Sequence, residues 1–239
     1  MIKTGVILAA GKGTRLMPLT KDIPKCLVKI NNKSLIEYSI EALKSIGIKK
    51  VVVVIGYMGY KIKEKLGYNY SGVNISYINN FIYEKSNNMY SLYLAINNIN
   101  EEIWILESDI IFDKNILNKN CINDIGWFVD SEVKNIDGSY IKTNKKDIVI
   151  NHEIVSNARD IKEDYKKSLG IIRCSKEGLN FLKEWLKNSI EKFEENLYYD
   201  LILAQHLKTE KISAIDVNGS IWFEIDNKED LEIARKFLK

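Results

Sequence analysis

The sequence predicts a doubly wound α/β fold, a mostly parallel sheet with helices on both faces. Three observations carry this. Val6 to Ala9, Val51 to Ile55 and Ile103 to Leu106 are short, wholly apolar runs, as strands covered on both faces require. Between them lie segments whose apolar residues recur at helical spacing. The resulting order, β-α-β-α-β-α-β, is met by parallel strands joined through crossover helices.

Each element has a local reason. Val6 to Ala9 runs into glycine, the end of a buried strand. Ser34 to Ile46 spaces Leu35, Ile36, Ile40, Leu43 and Ile46 on one helical face. Ser34 is its N-cap, Glu37 completes a capping box, and Gly47 stops it. Tyr57 to Leu66 is a helix closed by Gly67, Val73 to Ile78 a strand, and Met89 to Ile99 a helix. The middle third changes character. Gly126 to Asp130, Ser139 to Thr143, Ile148 to Ile150 and Ser168 to Cys174 alternate between turn residues and predict antiparallel strands. They form a small β-rich insertion over about 126–175, a subdomain laid over the sheet edge. Leu179 to Ile190 and Leu197 to Leu207 return to helix, Ile212 to Val217 is a strand, and Lys228 to Leu238 is a terminal helix. Pro18 and Pro24 are the only prolines and no linker composition follows them, so one domain spanning 1–239 is expected.

Composition narrows the class. Hydrophobic residues at 46% and charged residues at 28% are globular proportions, which excludes dominant disorder. A net charge of +3 over 239 residues is too small to argue for nucleic acid. No segment reaches the apolar length of a membrane span, so no membrane insertion is expected. Cys26, Cys121 and Cys174 lie far apart without a C-x-x-C, which points away from disulfides and zinc and toward a reducing cytoplasm. Oligomeric state is left open.

The sharpest motif is Leu8-Ala9-Ala10-Gly11-Lys12-Gly13-Thr14-Arg15, followed by Pro24-Lys25. A strand running into small residues lets the backbone approach a phosphate or base, and successive N–H groups cradle an anion. Arg15 forks onto phosphate oxygens and Lys25 supplies a point charge. A P-loop is excluded because G-x-x-x-x-G-K-[ST] is absent, and a dinucleotide fingerprint because Leu16 stands where its third glycine belongs. Two acids complete the pattern. Asp109 follows the Ile103 to Leu106 strand, and Asp226 precedes the last helix. Two aspartates with phosphate oxygens suit a hard cation such as Mg²⁺, although both positions also suit turn or helix caps.

Together Leu8-Ala9-Ala10-Gly11-x-Gly13-Thr14-Arg15 and Pro24-Lys25-Cys26-Leu27 resemble the signature of sugar-phosphate nucleotidylyltransferases and their relatives. The resemblance implies a Rossmann-like mixed sheet. It also implies nucleotide binding by Leu8, Ala9, Ala10, Gly11, Gly13 and Thr14, and catalytic contacts from Arg15 and Lys25 to the triphosphate. Trp222-Phe223-Glu224-Ile225-Asp226 and Asn87-Asn88-Met89-Tyr90-Ser91 resemble a narrower branch, the phosphocholine and 2-aminoethylphosphonate cytidylyltransferases. That likeness implies CTP as donor, cytidine contacts from Asn88 and Ser91, and Mg²⁺ held by Asp109 and Asp226. Matches at Asp137-Gly138-Ser139, Lys167-Ser168 and Tyr198-Tyr199-Asp200 extend it over nearly the whole chain.

The implied reaction is attack of an acceptor phosphate or phosphonate oxygen on the α-phosphorus of CTP, with release of pyrophosphate. Such an acceptor is already ionised at neutral pH and needs no general base, which agrees with a chain holding only His152 and His206. Both histidines are read as surface or packing residues. If the acceptor's other end is cationic, an aromatic cage suits a quaternary ammonium and carboxylates suit a primary amine. The acceptor candidates are Glu107, Lys167, Tyr198, Asp200 and Trp222, with Trp127, Tyr199 and Glu224 also in view. The alternatives are a sugar-1-phosphate nucleotidylyltransferase, CMP transfer to a phosphorylated amide or polyol, and a non-catalytic nucleotide-binding regulatory subunit.

Overall fold

The computed structural model describes residues 3–133 and 135–238. Its strands are β1 (Lys3–Ala9), β2 (Lys29–Ile30), β3 (Lys33–Ser34), β4 (Lys50–Ile55), β5 (Asn69–Tyr70), β6 (Val73–Asn79) and β7 (Glu102–Glu107). They continue as β8 (Ile110–Phe112), β9 (Ile125–Asp130), β10 (Gly138–Thr143), β11 (Val149–Val155), β12 (Tyr165–Cys174), β13 (Ile212–Asp216) and β14 (Trp222–Glu224). The helices are α1 (Leu35–Ser45), α2 (Gly59–Leu66), α3 (Asn88–Ile96), α4 (Lys176–Glu191), α5 (Tyr199–Gln205) and α6 (Lys228–Phe237).

β1 lies at the centre, parallel to β4 on one side and β7 on the other. Along β1, Val6 and Leu8 enter the core under α3, α4 and α5, whereas Ile7 and Ala9 enter the core under α1 and α2. Period-two alternation with both faces covered is why the strand reads as one apolar run. From β1 the chain builds outward through β4 and β6, then returns to β7 on the other side of β1. The switch point between β1 and β7 is where a doubly wound sheet opens a crevice at its carboxyl edge.

The antiparallel strands of the middle third pair directly with this sheet and are not laid over its edge. β12 pairs antiparallel with β7 along Ile171 to Cys174, then carries β10 and β9. β13 returns parallel to β9. Among the described residues these strands form one ten-stranded sheet. Ten residues of β12 make this possible, because a strand that long has partners at both ends.

The helix starts follow the sequence closely. Glu37 accepts the Ser34 N–H at 2.8 Å and the Ser34 hydroxyl at 2.6 Å. Burial alone would raise its carboxyl, but Ser34, Lys65 and Tyr70 together pull it down to about 2. A lowered carboxyl contributes stability above its ordinary value of 4.5, and that stability is lost as pH falls through about 2. Glu37→Gln is therefore expected to cost about 1–2 kcal/mol at neutral pH. Urea unfolding at descending pH checks this: the gap between variant and parent should close in acid, and a gap independent of pH would contradict it.

Candidate active site

The carboxyl ends of β1 and β7 lie side by side, with Leu8 in register with Glu107. There a cavity of about 660 Å³ opens. Leu8, Ala9, Ala10, Gly11, Gly13, Thr14, Arg15, Lys25, Asn88, Ser91, Glu107, Asp109, Lys167, Tyr198, Asp200 and Asp226 all line it, so the predicted residues converge with one exception. That exception is Trp222. Its indole is buried in the core behind the sheet and its N–H donates to Asp130 Oδ2 at 2.7 Å. The expectation that it touches an acceptor is corrected: an aromatic placed before an acidic strand end packs the core when its strand turns that face inward.

The glycine loop has two different glycines. Gly13 adopts φ +62°, and a Cβ there would stand 2.7 Å from Lys25 Cβ. Its carbonyl accepts the Thr20 hydroxyl at 2.7 Å, which holds the loop in place. At Gly11, by contrast, a Cβ would meet nothing within 4 Å. Gly13→Ala should destabilise the protein by about 1–2 kcal/mol through backbone strain and the clash. Gly11→Ala should leave stability within about 0.5 kcal/mol. Its effect should instead fall on nucleotide affinity, weakened roughly tenfold or more if a ligand backs onto that open space. Thermal melts paired with nucleotide titrations separate the two, and a stability loss at Gly11 would count against the cradle.

Lys25 is the centre of the charge arrangement. Its Nζ lies 2.6 Å from Asp109 Oδ2 and 2.6 Å from Asp226 Oδ1. Burial opposes the ammonium charge, but the two aspartates outweigh it and hold the Lys25 pKa above its ordinary value. Arg15 reaches the other oxygen of Asp226 at 2.8 Å and remains 64% exposed over the cavity. The aspartates, far apart in sequence, meet because β14 pairs with β8 and the Ile225 N–H donates to the Asp109 carbonyl at 2.9 Å. Asn227, not Asp226, caps α6, accepting from the Glu229 and Asp230 N–H groups. The Asp226 carboxylate is thereby left to face the site.

Opposite the glycine loop the lining is acidic. Asn88 donates to Glu107 Oε1 at 3.0 Å and accepts the Tyr199 N–H at 2.9 Å, tying α3, β7 and α5 together. Burial, then the neighbouring Asp109, Asp200 and Glu224, raise the Glu107 carboxyl well above its usual range. Glu224 is also raised by burial, although Lys167 pairs with it at 3.0 Å. Lys167 itself is buried and packs against Gly138 and Tyr140. Ser91 lines the cavity through a network in which Asn80 Nδ2 donates to both Ser86 Oγ and Ser91 Oγ at 3.0 Å.

Among the described residues six carboxylates line the cavity, namely Glu107, Asp109, Asp137, Asp200, Glu224 and Asp226, against three cations, Arg15, Lys25 and Lys167. Protons held on the raised carboxyls and cations brought by a ligand both relieve such a deficit. Asp109 Oδ1 is buried and without a hydrogen-bond partner among the described residues. Together with Asp226 it is a hard-oxygen donor set that fits Mg²⁺.

Asn80 and His152 are among the members of the region that the sequence reading did not place there. Asn80 directly follows β6 with no pattern around it to mark a site. His152 was read as surface or packing; it packs, but its side chain is buried beside the cavity, with Nε2 2.9 Å from Ser139 Oγ. Register could have found it, since β10 and β11 place His152 opposite Ile141, two residues along from Ser139. His206 stacks on Trp185 with ring centroids 4.2 Å apart, away from the site.

Comparison with known proteins agrees with this geometry. The nucleotidyl transferase family matches residues 4–122. The choline-phosphate cytidylyltransferase of Streptococcus pneumoniae is 30% identical over 251 residues, covering 98% of this chain and 97% of that protein. A solved structure of CTP:phosphocholine cytidylyltransferase from the same organism superposes with a TM-score of 0.83 at 26% identity, covering 100% of both chains. The CTP:phosphoglutamine cytidylyltransferase of Campylobacter jejuni is 30% identical, covering 95% of this chain and 97% of that protein. The bifunctional IPC transferase and DIPP synthase of Aquifex aeolicus is 32% identical, and the chain spans 52% of its length. With the glycine loop, the Lys25 and aspartate cluster and full-length similarity in agreement, the chain belongs to the nucleotidyl transferase family and is of the cytidylyltransferase type.

Proposed function

We propose that the protein transfers CMP from CTP to a small phosphorylated or phosphonate head group, of the phosphocholine, phosphoethanolamine or 2-aminoethylphosphonate class. An acceptor oxygen attacks the α-phosphorus, the bond from that phosphorus to the bridging oxygen breaks, and its electrons leave with pyrophosphate. The observation that carries this reading is Lys25 held between Asp109 and Asp226 beneath the glycine loop. Both reactants are anions, so the obstacle is charge repulsion and the remedy is electrostatic. Arg15 and Lys25 receive the triphosphate, and the loop from Leu8 to Thr14 cradles it through backbone N–H groups. Asn88 and Ser91 border the cytidine. Asp109 and Asp226 would hold Mg²⁺, which supplies Lewis-acid stabilisation of charge on the phosphates.

Two other readings have less support. A sugar-1-phosphate acceptor would bring no cation to the acidic wall opposite the loop, where Lys167 pairs with Glu224 and Glu107 is held by the neutral Asn88. A non-catalytic regulatory subunit has no need to keep Arg15, Lys25, Asp109 and Asp226 in mutual contact. Mg²⁺-dependent pyrophosphate release from CTP tests the proposal. Phosphocholine, phosphoethanolamine, 2-aminoethylphosphonate and glucose-1-phosphate are offered in parallel. Release with an amino-alcohol acceptor supports it. Preference for UTP or dTTP with the sugar phosphate would overturn it.

A further inference from the structure

Resting on the nucleotide reading of the cavity, we infer that the ion pair between Lys12 and Glu84 is a strap across the cavity mouth. It opens for nucleotide to enter and leave, and so sets how long nucleotide stays bound.

Two segments wall the glycine-loop half of the cavity. One is the glycine loop itself, with Gly11 and Gly13 on the lining. The other joins β6 to α3, with Asn80, Tyr83 and Ser86 on the lining. Lys12 and Glu84 belong to these segments, yet neither side chain lines the cavity. They meet on its outer rim, Lys12 Nζ to Glu84 Oε1 at 2.8 Å, with 43% and 60% of the side chains exposed. Among the described residues this is the one hydrogen bond or ion pair that joins residues 11–14 to residues 80–87. The Lys12 ammonium also lies 5.8 Å from the centre of the Tyr57 ring, a contact that favours its place on the rim.

The two ends of the strap are unequally fixed. The segment carrying Glu84 is pinned. The Ile82 N–H donates to Asn80 Oδ1 at 3.0 Å, and the Asn87 N–H donates to the Glu195 carbonyl at 2.8 Å. The Tyr83 ring backs onto Gly56, where a Cβ would stand 2.8 Å from Tyr83 Cγ. Lys12, by contrast, stands between two glycines. A Cβ at Gly11 would meet nothing within 4 Å, and Gly13 takes φ +62°. Backbone freedom therefore lies on the Lys12 side, and opening is a swing of residues 11–13 away from a fixed post. An ion pair this exposed adds little to the stability of the fold. Its position gives it a different effect, because the contact breaks whenever one wall moves from the other. Each partner holds the charge of the other: Glu84 raises the Lys12 pKa, and Lys12 lowers that of Glu84. Both stay ionised through the neutral range, so the strap answers to salt and not to pH.

The test is stopped-flow release of N-methylanthraniloyl-CTP from the full chain with Mg²⁺, chased with excess CTP, at about 20 mM and about 500 mM KCl. At low salt Lys12→Met and Glu84→Gln should each speed release about threefold to fivefold. The double variant should release no faster than either single one, because both changes break the same contact. The gap between parent and variants should close at high salt. Charge reversal, Lys12→Glu with Glu84→Lys in one chain, should restore slow release, and circular dichroism confirms that each variant folds. Parent-like release in both single variants overturns the inference and leaves the nucleotide reading standing. Effects that multiply in the double variant, a gap that persists at high salt, or a charge reversal as fast as the single variants also overturn it. Fast release in Lys12→Met with parent-like release in Glu84→Gln would put Lys12 on the nucleotide itself and overturn the strap. Failure of the CTP analogue to bind the parent overturns both readings.

Discussion

Replacing Lys25 with methionine is expected to lower CMP transfer by about a thousandfold, because on the proposed reading the group removed is the buried charge that, with Arg15, receives the triphosphate. Methionine keeps an unbranched stem, so packing against Gly13 survives and the charge alone is lost. The raised Lys25 pKa gives the sign of the pH dependence. An ammonium stabilised by the fold contributes fully below its unfolded value, and that contribution is lost only as pH rises through the higher folded value. The parent protein therefore keeps this contribution throughout the neutral range. In the variant, Asp109 and Asp226 face each other without their shared cation. Breaking such a pair from one side costs roughly 3 kcal/mol. Added Mg²⁺ should restore part of that loss, since it brings a cation to the same carboxylates. Pyrophosphate release, with melting curves taken with and without Mg²⁺, checks both halves. A rate within tenfold of the parent would remove Lys25 from the machinery.

The second large effect is expected at Asp109. Asp109→Asn preserves size and should fold, yet it removes a full charge from the pair that fits Mg²⁺. Turnover should fall about a thousandfold or more, with the Mg²⁺ concentration for half-maximal rate raised. Asp226→Asn should behave differently. Asp226 also holds Arg15 at 2.8 Å, so its loss frees an arginine that lines the cavity and, on the proposed reading, should shift the KM for CTP as well as kcat. Steady-state kinetics over a Mg²⁺ series distinguish the two variants. Full activity in Asp109→Asn would show the metal assignment to be wrong.

Much of the fold was legible because its signals are local. A capping box at Ser34 and Glu37, glycine after α1, and apolar runs at β1, β4 and β7 each act within a few residues. Helix ends drifted where local cues were weak. α2 begins at Gly59 and not Tyr57, since Met58 takes a left-handed conformation at φ +46° that the sequence does not announce. The middle strands were recognised as strands, but their place in the main sheet depends on β12 pairing with β7, a contact between distant segments. Trp222 was misread for a related reason. A motif marks where an aromatic stands in the chain, and the pairing of β14 with β8 decides which way it faces.

The sequence by itself determined the glycine loop, the two basic residues near it, and the alternation of strand and helix that carries it to a sheet edge. These follow from backbone freedom, hydrophobic periodicity and spacing, which neighbours along the chain are enough to define. Only the tertiary structure decided that Asp109 and Asp226 share Lys25, that Glu107 is gripped by Asn88, and that Asp200 is buried with an oxygen left unpaired among the described residues. The reason is electrostatic. The state of a buried charge is a sum over every group and every layer of solvent around it, and those groups arrive from remote parts of the chain through sheet pairing and helix packing.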